Sequence, residues 1–250
     1  MSSTATPSLR AEAVGAGQKS WLCRAAFSSI GAKVTMAVTG VLVFGFVLGH
    51  MIGNLQIYLG QDAYNSYAHF LQSKPALVWV VRIGMLGALA LHALSGIRLV
   101  RLNRAARPQA YVMKKTAKTT LFAKTMPLTG LVIMAFVIYH LLHFTAGVTH
   151  PELHALVDAQ GRHDVYSAFV ASFQDPLVAG AYIVAMVLLG FHLAHGVSSL
   201  FQTLGINHPR YNPIIRLIGP AFGALVVIGN ASMPIAVLLG FITLPSGVAL

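Results

Sequence analysis

The chain has 250 residues, 56% of them hydrophobic and only 9% charged, with a formal net charge of +11. A soluble domain carries about 25% charged residues, so a fully water-solvated surface is excluded and the bilayer is the solvent that remains. Nucleic acid is excluded as a partner because the basic residues adjoin long apolar runs instead of forming a polar, aromatic-bearing face, and the single cysteine, Cys23, excludes an internal disulfide framework.

Residues 1–27 are polar and rich in Ser, Ala and Gly, without the short apolar core of a signal peptide, and are expected to form a cytoplasmic tail. The remainder, 28–250, reads as one membrane domain. A helix needs about 20 mostly apolar residues to cross the hydrocarbon core. Five segments qualify, at about 34–53, 77–99, 125–148, 176–202 and 217–243. They are separated by turn or charge signals at Gly53-Asn54, Lys74-Pro75, Arg101 to Lys118, Asp175-Pro176 and Asn207-His208-Pro209. The fold class is therefore all-α, an integral bundle of five transmembrane helices. Pro127 and Pro220 are placed in first turns, where proline is tolerated, and Pro234 within the fifth helix, where it should kink the backbone.

The charges predict an orientation. Arg10, Lys19, Arg24 and Lys33 precede the first span, Arg98 to Lys124 bracket the connection between the second and third, and Arg210 and Arg216 lie between the fourth and fifth. That side collects 14 of the 17 basic residues, whereas the other has Lys74, Arg82 and Arg162 with five of the six acids: Asp62, Glu152, Asp158, Asp164 and Asp175. By the positive-inside rule the N-terminus is cytoplasmic and the C-terminus outside.

Of the eleven histidines, His69, His150, His154, His163 and His208 are placed in loops as solvated polar residues. The other six, His50, His92, His140, His143, His192 and His195, lie inside spans, where a polar ring normally faces the bundle and has a function. At about 1.5 Å per residue, His50 and His140 sit about 15 residues in from the cytoplasmic side, in the outer half of the membrane. His92 and His192 sit a similar distance in from the outside, in the inner half, so the two levels differ by roughly 15 Å. Helices one and three thus present histidine at one level and helices two and four at the other. Two bis-histidine b-type haems stacked across the bilayer need this arrangement, since two neutral imidazoles from different helices clamp the iron from both faces. His140 and His143 share roughly one helix face, as do His192 and His195, and spacing alone leaves the choice within each pair open. Gly40, Gly45, Gly49 and Gly53 on the first helix, with Gly84, Gly87, Ala88 and Gly96 on the second, would admit a flat ring or a second backbone.

With these residues in view the chain resembles the cytochrome b558 subunit family of succinate dehydrogenases and fumarate reductases, the single-anchor dihaem membrane subunits. The resemblance runs from Ser28 to the fifth span. It is carried by Gly45-Phe46-Val47-Leu48-Gly49-His50-Met51, Ala90-Leu91-His92-Ala93-Leu94-Ser95-Gly96-Ile97-Arg98 and Phe136-Val137-Ile138-Tyr139-His140-Leu141-Leu142-His143-Phe144. Its most specific part runs from Phe191-His192-Leu193-Ala194-His195-Gly196 into Phe201-Gln202-Thr203-Leu204-Gly205-Ile206-Asn207-His208-Pro209, and the loop Asp62-Ala63-Tyr64-Asn65-Ser66-Tyr67-Ala68 is also similar.

The resemblance implies that His92 and His192 ligate a proximal haem near the cytoplasm and His50 and His140 a distal one, with His143 and His195 as neighbours of the ligands or part of a quinone pocket. It implies an electron-transfer subunit without dicarboxylate chemistry of its own, in the inner (cytoplasmic) membrane. A flavoprotein with covalent FAD would oxidise succinate, and an iron–sulfur subunit docked on the basic cytoplasmic face would deliver electrons to the two haems and a quinone, with menaquinone expected. Propionate partners are expected among Lys33, Arg98, Ser28 and Ser29 at the inner end and Arg82 or Tyr64 at the outer, with Arg82 snorkelling outward. No acidic residue lies within any span, so a proton path through a transmembrane glutamate, as proposed for certain relatives, has no counterpart here. The competing readings are a dihaem subunit of another membrane dehydrogenase, acting on hydrogen or formate, and a haem-free proton-coupled transporter; the run through Asn207-His208-Pro209 disfavours the first and the depth-matched histidines the second.

Overall fold

The computed structural model describes residues 28–106, 121–206 and 208–246. The tail expected over 1–27 lies outside these, as do Arg107, Lys114, Lys115, Lys118 and Asn207. Among the described residues the fold is all-helical. Five helices are long and apolar enough to cross a membrane, and the chain is a multi-pass membrane protein.

Helix α1 spans Ser29–Asn54 and is started by Ser28, whose Oγ accepts the Gly31 N–H at 3.0 Å. It tightens into a 3-10 turn, Leu55–Leu59, and stops at Gly60, where φ of 91° favours glycine. Helix α2, Gln61–Gln72, then lies across one end of the bundle. The loop expected around Asp62–Ala68 is thus a helix, burying Tyr64 and Asn65 on one face while Asp62 and Ser66 stay exposed. Helix α3, Pro75–Ala105, opens with proline in its first turn, where the missing N–H has no partner to lose. Helix α4, Leu121–His140, runs into a single π-turn, Leu141–Thr145. Two short helices follow, α5 at Pro151–His154 and α6 at Val165–Gln174. Helix α7, Pro176–Thr203, is capped by Asp175, which accepts the Leu177 N–H at 2.8 Å, and α8 covers Asn212–Leu238.

Two proline placements need correction. Pro127 and Pro220 lie inside α4 and α8, not in first turns, because the described part of α4 is already helical from Leu121 and α8 from Asn212. Long basic side chains such as Lys124 and Arg216 can reach the interface from a helical turn, so a charge does not end the helix. Two residues before Pro127, Thr125 Oγ1 donates to the carbonyls of Leu121 at 3.1 Å and Phe122 at 3.3 Å, keeping its hydroxyl satisfied within the helix.

Helix α1 packs closely on α3, α4 on α7, and α7 on α8. The two pairs α1–α3 and α4–α7 meet only sparsely, so the bundle is two helix hairpins set beside each other. Helix α8 lies so tightly on α7 that a Cβ at Gly223 would run into the Gly190 carbonyl, and one at Gly219 into that of Ala194. It also reaches α1, through Phe44 against Phe222 and Met51 against Gly229.

The densest core is at one end, which we term the capped end. Here Ile57, Tyr64, Phe169, Val170, Phe173 and Tyr182 join Met233, Val237 and Ile242. Above them Asn65, fully buried, donates to Asp164 Oδ1 at 2.9 Å and Asp158 Oδ2 at 3.1 Å while its Oδ1 accepts the Tyr166 N–H at 3.0 Å. Arg162 clamps Asp158 at 2.7 Å and Asp62 at 2.9 Å. Burial alone would raise the Asp158 carboxyl, but hydrogen bonds from Arg162, Asn65 and Gln160 outweigh it and hold the pKa down at about 2. Asp164 is likewise buried and likewise held below the ordinary carboxylate range, by Ser167, Asn65 and Gln61.

Candidate functional site

Four of the six histidines placed within spans meet in twos, across the gap between the two hairpins. His50 of α1 faces His140 of α4 with ring centroids 5.8 Å apart, and His92 of α3 faces His192 of α7 at 6.3 Å. These are the pairs that depth alone gives. The first lies near the capped end, since His50 is one turn from the end of α1 and His140 closes α4. Phe46 stacks on His50 at 5.4 Å and Phe136 on His140 at 5.9 Å, each one turn earlier on the same helix.

The second pair lies deeper, against side chains that the sequence reading passed over. Nδ1 of His92 is 3.4 Å from Thr39 Oγ1 and 3.2 Å from the Met36 carbonyl, and Nδ1 of His192 is 3.3 Å from Thr129 Oγ1. A Cβ on Gly40 would come within 3.3 Å of His92 Cε1, and one on Gly130 within 3.5 Å of His192 Cε1. The signal that could have found these residues is an internal repeat. Thr35, Met36, Thr39, Gly40, Phe46, Val47 and His50 recur, each ninety residues later, as Thr125, Met126, Thr129, Gly130, Phe136, Val137 and His140. Threonine thus touches the histidine of one level, and eleven residues further on the same helix supplies the histidine of the other. At the helical rise, the two levels are about 16 Å apart.

The pairs fit the group that the sequence reading expects. An imidazole nitrogen sits about 2 Å from a first-row metal that it ligates, so two imidazoles on opposite sides of one iron have centroids about 6 Å apart. Both observed separations match that span. A Cβ at Gly45, Gly49, Gly84 or Gly87 would meet no protein atom within 4 Å, so these positions add no bulk beside the rings, whereas Gly53 is filled by Tyr67 and serves packing.

His143 is buried and doubly bonded, Nδ1 to the Tyr182 hydroxyl at 3.0 Å and Nε2 to Ser172 Oγ at 3.1 Å. Tyr182 also lies 3.4 Å from His140 Nδ1, so one hydroxyl links the two histidines. His195 is half-buried, one turn beyond His192. Ser28 serves as the α1 cap, Ser29 and Lys33 are exposed near it, and Arg98 is half-buried less than two turns beyond His92, toward the end opposite the cap. Arg82 leans over the Trp79 ring at 5.4 Å and lines a cavity of about 460 Å³ at the capped end with Gln72, His154 and His163. Tyr64 is buried and donates to Asn54 Oδ1 at 2.6 Å, so its hydroxyl is committed to protein.

Two of the five histidines placed in loops are helical and exposed, His69 in α2 and His154 in α5. His150 is half-buried with its ring 5.0 Å from His143, and His163 is half-buried against His154 at 5.0 Å, its pKa lowered first by burial. Their environment comes from the folding of the 150–164 connection over the bundle end, which no local pattern announces.

Among curated proteins, the chain is similar to the succinate dehydrogenase cytochrome b558 subunit of Bacillus subtilis (strain 168), 26% identical over 177 residues, covering 68% of this chain and 78% of that protein. The chain is a distant homologue of that subunit. No family model and no solved structure matches. The family resemblance read from the histidine-bearing motifs and this homologue point to the same subunit type.

Proposed function

We propose that this chain is the dihaem membrane anchor of a succinate:quinone oxidoreductase, passing electrons between an iron–sulfur subunit and a quinone in the inner (cytoplasmic) membrane. The observation that carries the proposal is the pairing of four histidines from four helices at two levels, each pair at the span of a bis-imidazole iron. The distant homologue names the complex.

In this reading His92 and His192 hold the proximal haem b and His50 and His140 the distal one. Haem b, when bound, supplies a one-electron couple at each level. The protein's part is to fix the imidazoles. Thr39, Thr129 and Tyr182 lie against Nδ1 of His92, His192 and His140, which leaves Nε2 of those three rings available to iron. His92, His140 and His192 are half-buried and His50 is exposed among the chain's own atoms. Lys33, Arg98, Ser28 and Ser29 are the propionate candidates at the proximal end, and His143 and His195 are candidates for the quinone pocket or for support of the ligands.

The positive-inside rule sets the cap outside and the proximal level toward the cytoplasm. Arg98, Arg101 and Arg104 then extend α3 toward the face on which the iron–sulfur subunit, itself joined to the FAD-bearing flavoprotein, docks. The quinone expected is menaquinone. A dithionite-reduced minus oxidised spectrum of the purified complex, with pyridine haemochrome per polypeptide, tests the reading. Two b haems per chain are expected, and a colourless, correctly folded complex would overturn it.

A further inference from the structure

We propose that Thr39 and Thr129 are a matched pair of positioning residues that fix the protonation and orientation of both imidazoles at the deeper level; the proposal rests on the dihaem reading above. Each hydroxyl has one proton to give. Thr39 Oγ1 lies 2.6 Å from the Thr35 carbonyl, and Thr129 Oγ1 lies 3.1 Å from the Thr125 carbonyl. We assign that proton to the carbonyl, the shorter of the two contacts at each threonine, so each threonine meets the histidine as an acceptor. The ring nitrogen facing it must then carry hydrogen. For His92 this is reinforced by the Met36 carbonyl at 3.2 Å, a second acceptor on the same Nδ1. Nε2 of both rings is thereby left with its lone pair free for iron, the tautomer that an axial ligand needs.

The arrangement is built. Both threonines are buried, at 5% and 2% exposure, and each is followed by the glycine that lets the ring edge lie against the helix. Both belong to the ninety-residue repeat, so the same device occurs twice and acts on the two opposite ligands of one site. The other level lacks it: among the described residues His50 has a stacking partner in Phe46 and no ring hydrogen bond, while His140 relies on Tyr182.

A hydrogen bond from Nδ1–H makes the imidazole a stronger donor to its metal and steadies the oxidised state. Valine in place of threonine keeps the shape and removes the acceptor. In the whole complex, Thr39→Val and Thr129→Val should each raise the midpoint potential of one haem by the equivalent of a three- to tenfold change in its reduction equilibrium, about 30–60 mV for a one-electron couple. The low-spin ferric electron paramagnetic resonance signal of that haem should change with it, the other haem staying as it was. Thr39→Ser and Thr129→Ser should restore both values. Loss of that haem in the valine variant with retention in the serine variant would support the same assignment. Two haems with unshifted potentials and unchanged spectra in both valine variants would overturn the proposal and leave the dihaem reading standing, as would equal haem loss with valine and serine. A wild-type complex without haem would overturn both.

Discussion

The two histidine levels are built by different means. The deeper one is symmetric: two repeats supply the same Thr-Gly surface to two facing imidazoles. The one near the cap is asymmetric. His50 leans on Phe46, while His140 joins Tyr182, His143 and Ser172 in a hydrogen-bonded chain tied to the capped core. A repeat can provide identical partners only where its own residues make the contact. Where the cap intrudes, the second copy acquires neighbours that the first does not have. The deeper level should therefore respond to changes in the repeat, and the shallower one to changes in the cap.

The largest effect comes from the ligands. His92→Ala and His50→Ala should each reduce two haems per chain to one, by pyridine haemochrome, and should remove different spectral components; loss of the same component in both would break the assignment of levels. Next, Asn65→Ala removes one partner from each of Asp164 and Asp158, which keep Ser167 and Gln61 or Arg162 and Gln160, and takes the acceptor from the buried Tyr166 N–H. Leaving buried polar groups unmet costs about 1–3 kcal/mol each. Thermal unfolding in detergent should start earlier, with the haem assigned to His50 and His140 released before the other. Tyr182→Phe removes a single hydroxyl, worth about 1 kcal/mol, and should perturb only that same haem in potentiometric titration; an equal shift at both levels would erase the distinction.

Acid should act on the same side. Asp158, at about 2, and Asp164 titrate below ordinary carboxylates, so their contribution is complete above the unfolded value near pH 3.9 and is lost as pH falls through the folded values. Protease resistance of the 150–164 segment should hold at pH 5 and decline between about pH 4 and pH 2. A decline complete by pH 5 would show that these carboxylates do not hold the cap.

The five spans, the all-helical class and the pairing of His50 with His140 and His92 with His192 were legible because each depends on local quantities: apolar length and distance along a helix axis. What escaped depends on neighbours. Asp62–Ala68 reads as a polar loop until its buried face, Tyr64 and Asn65, meets α6. Pro127 and Pro220 read as helix starts because the basic residues near them look like boundaries. Spacing alone does not assign His143 a role, because its partners Ser172 and Tyr182 come from other helices. The Thr-Gly repeat was visible in the letters, but threonine in an apolar helix carries no distinct signal until a histidine is found opposite.

The fifth helix has one more consequence. Two hairpins side by side leave two seams, one between α1 and α7 and one between α3 and α4. Helix α8 touches both α7 and α1, so it closes the first seam. The second, where Val100 and Arg104 stand beside Pro127, has no helix laid over it among the described residues. Among the described residues, a bundle that is twofold in its ligands is thus one-sided toward the bilayer, and a lipid-soluble molecule approaching in the membrane plane meets two unlike flanks, one with a fifth helix over it and one without.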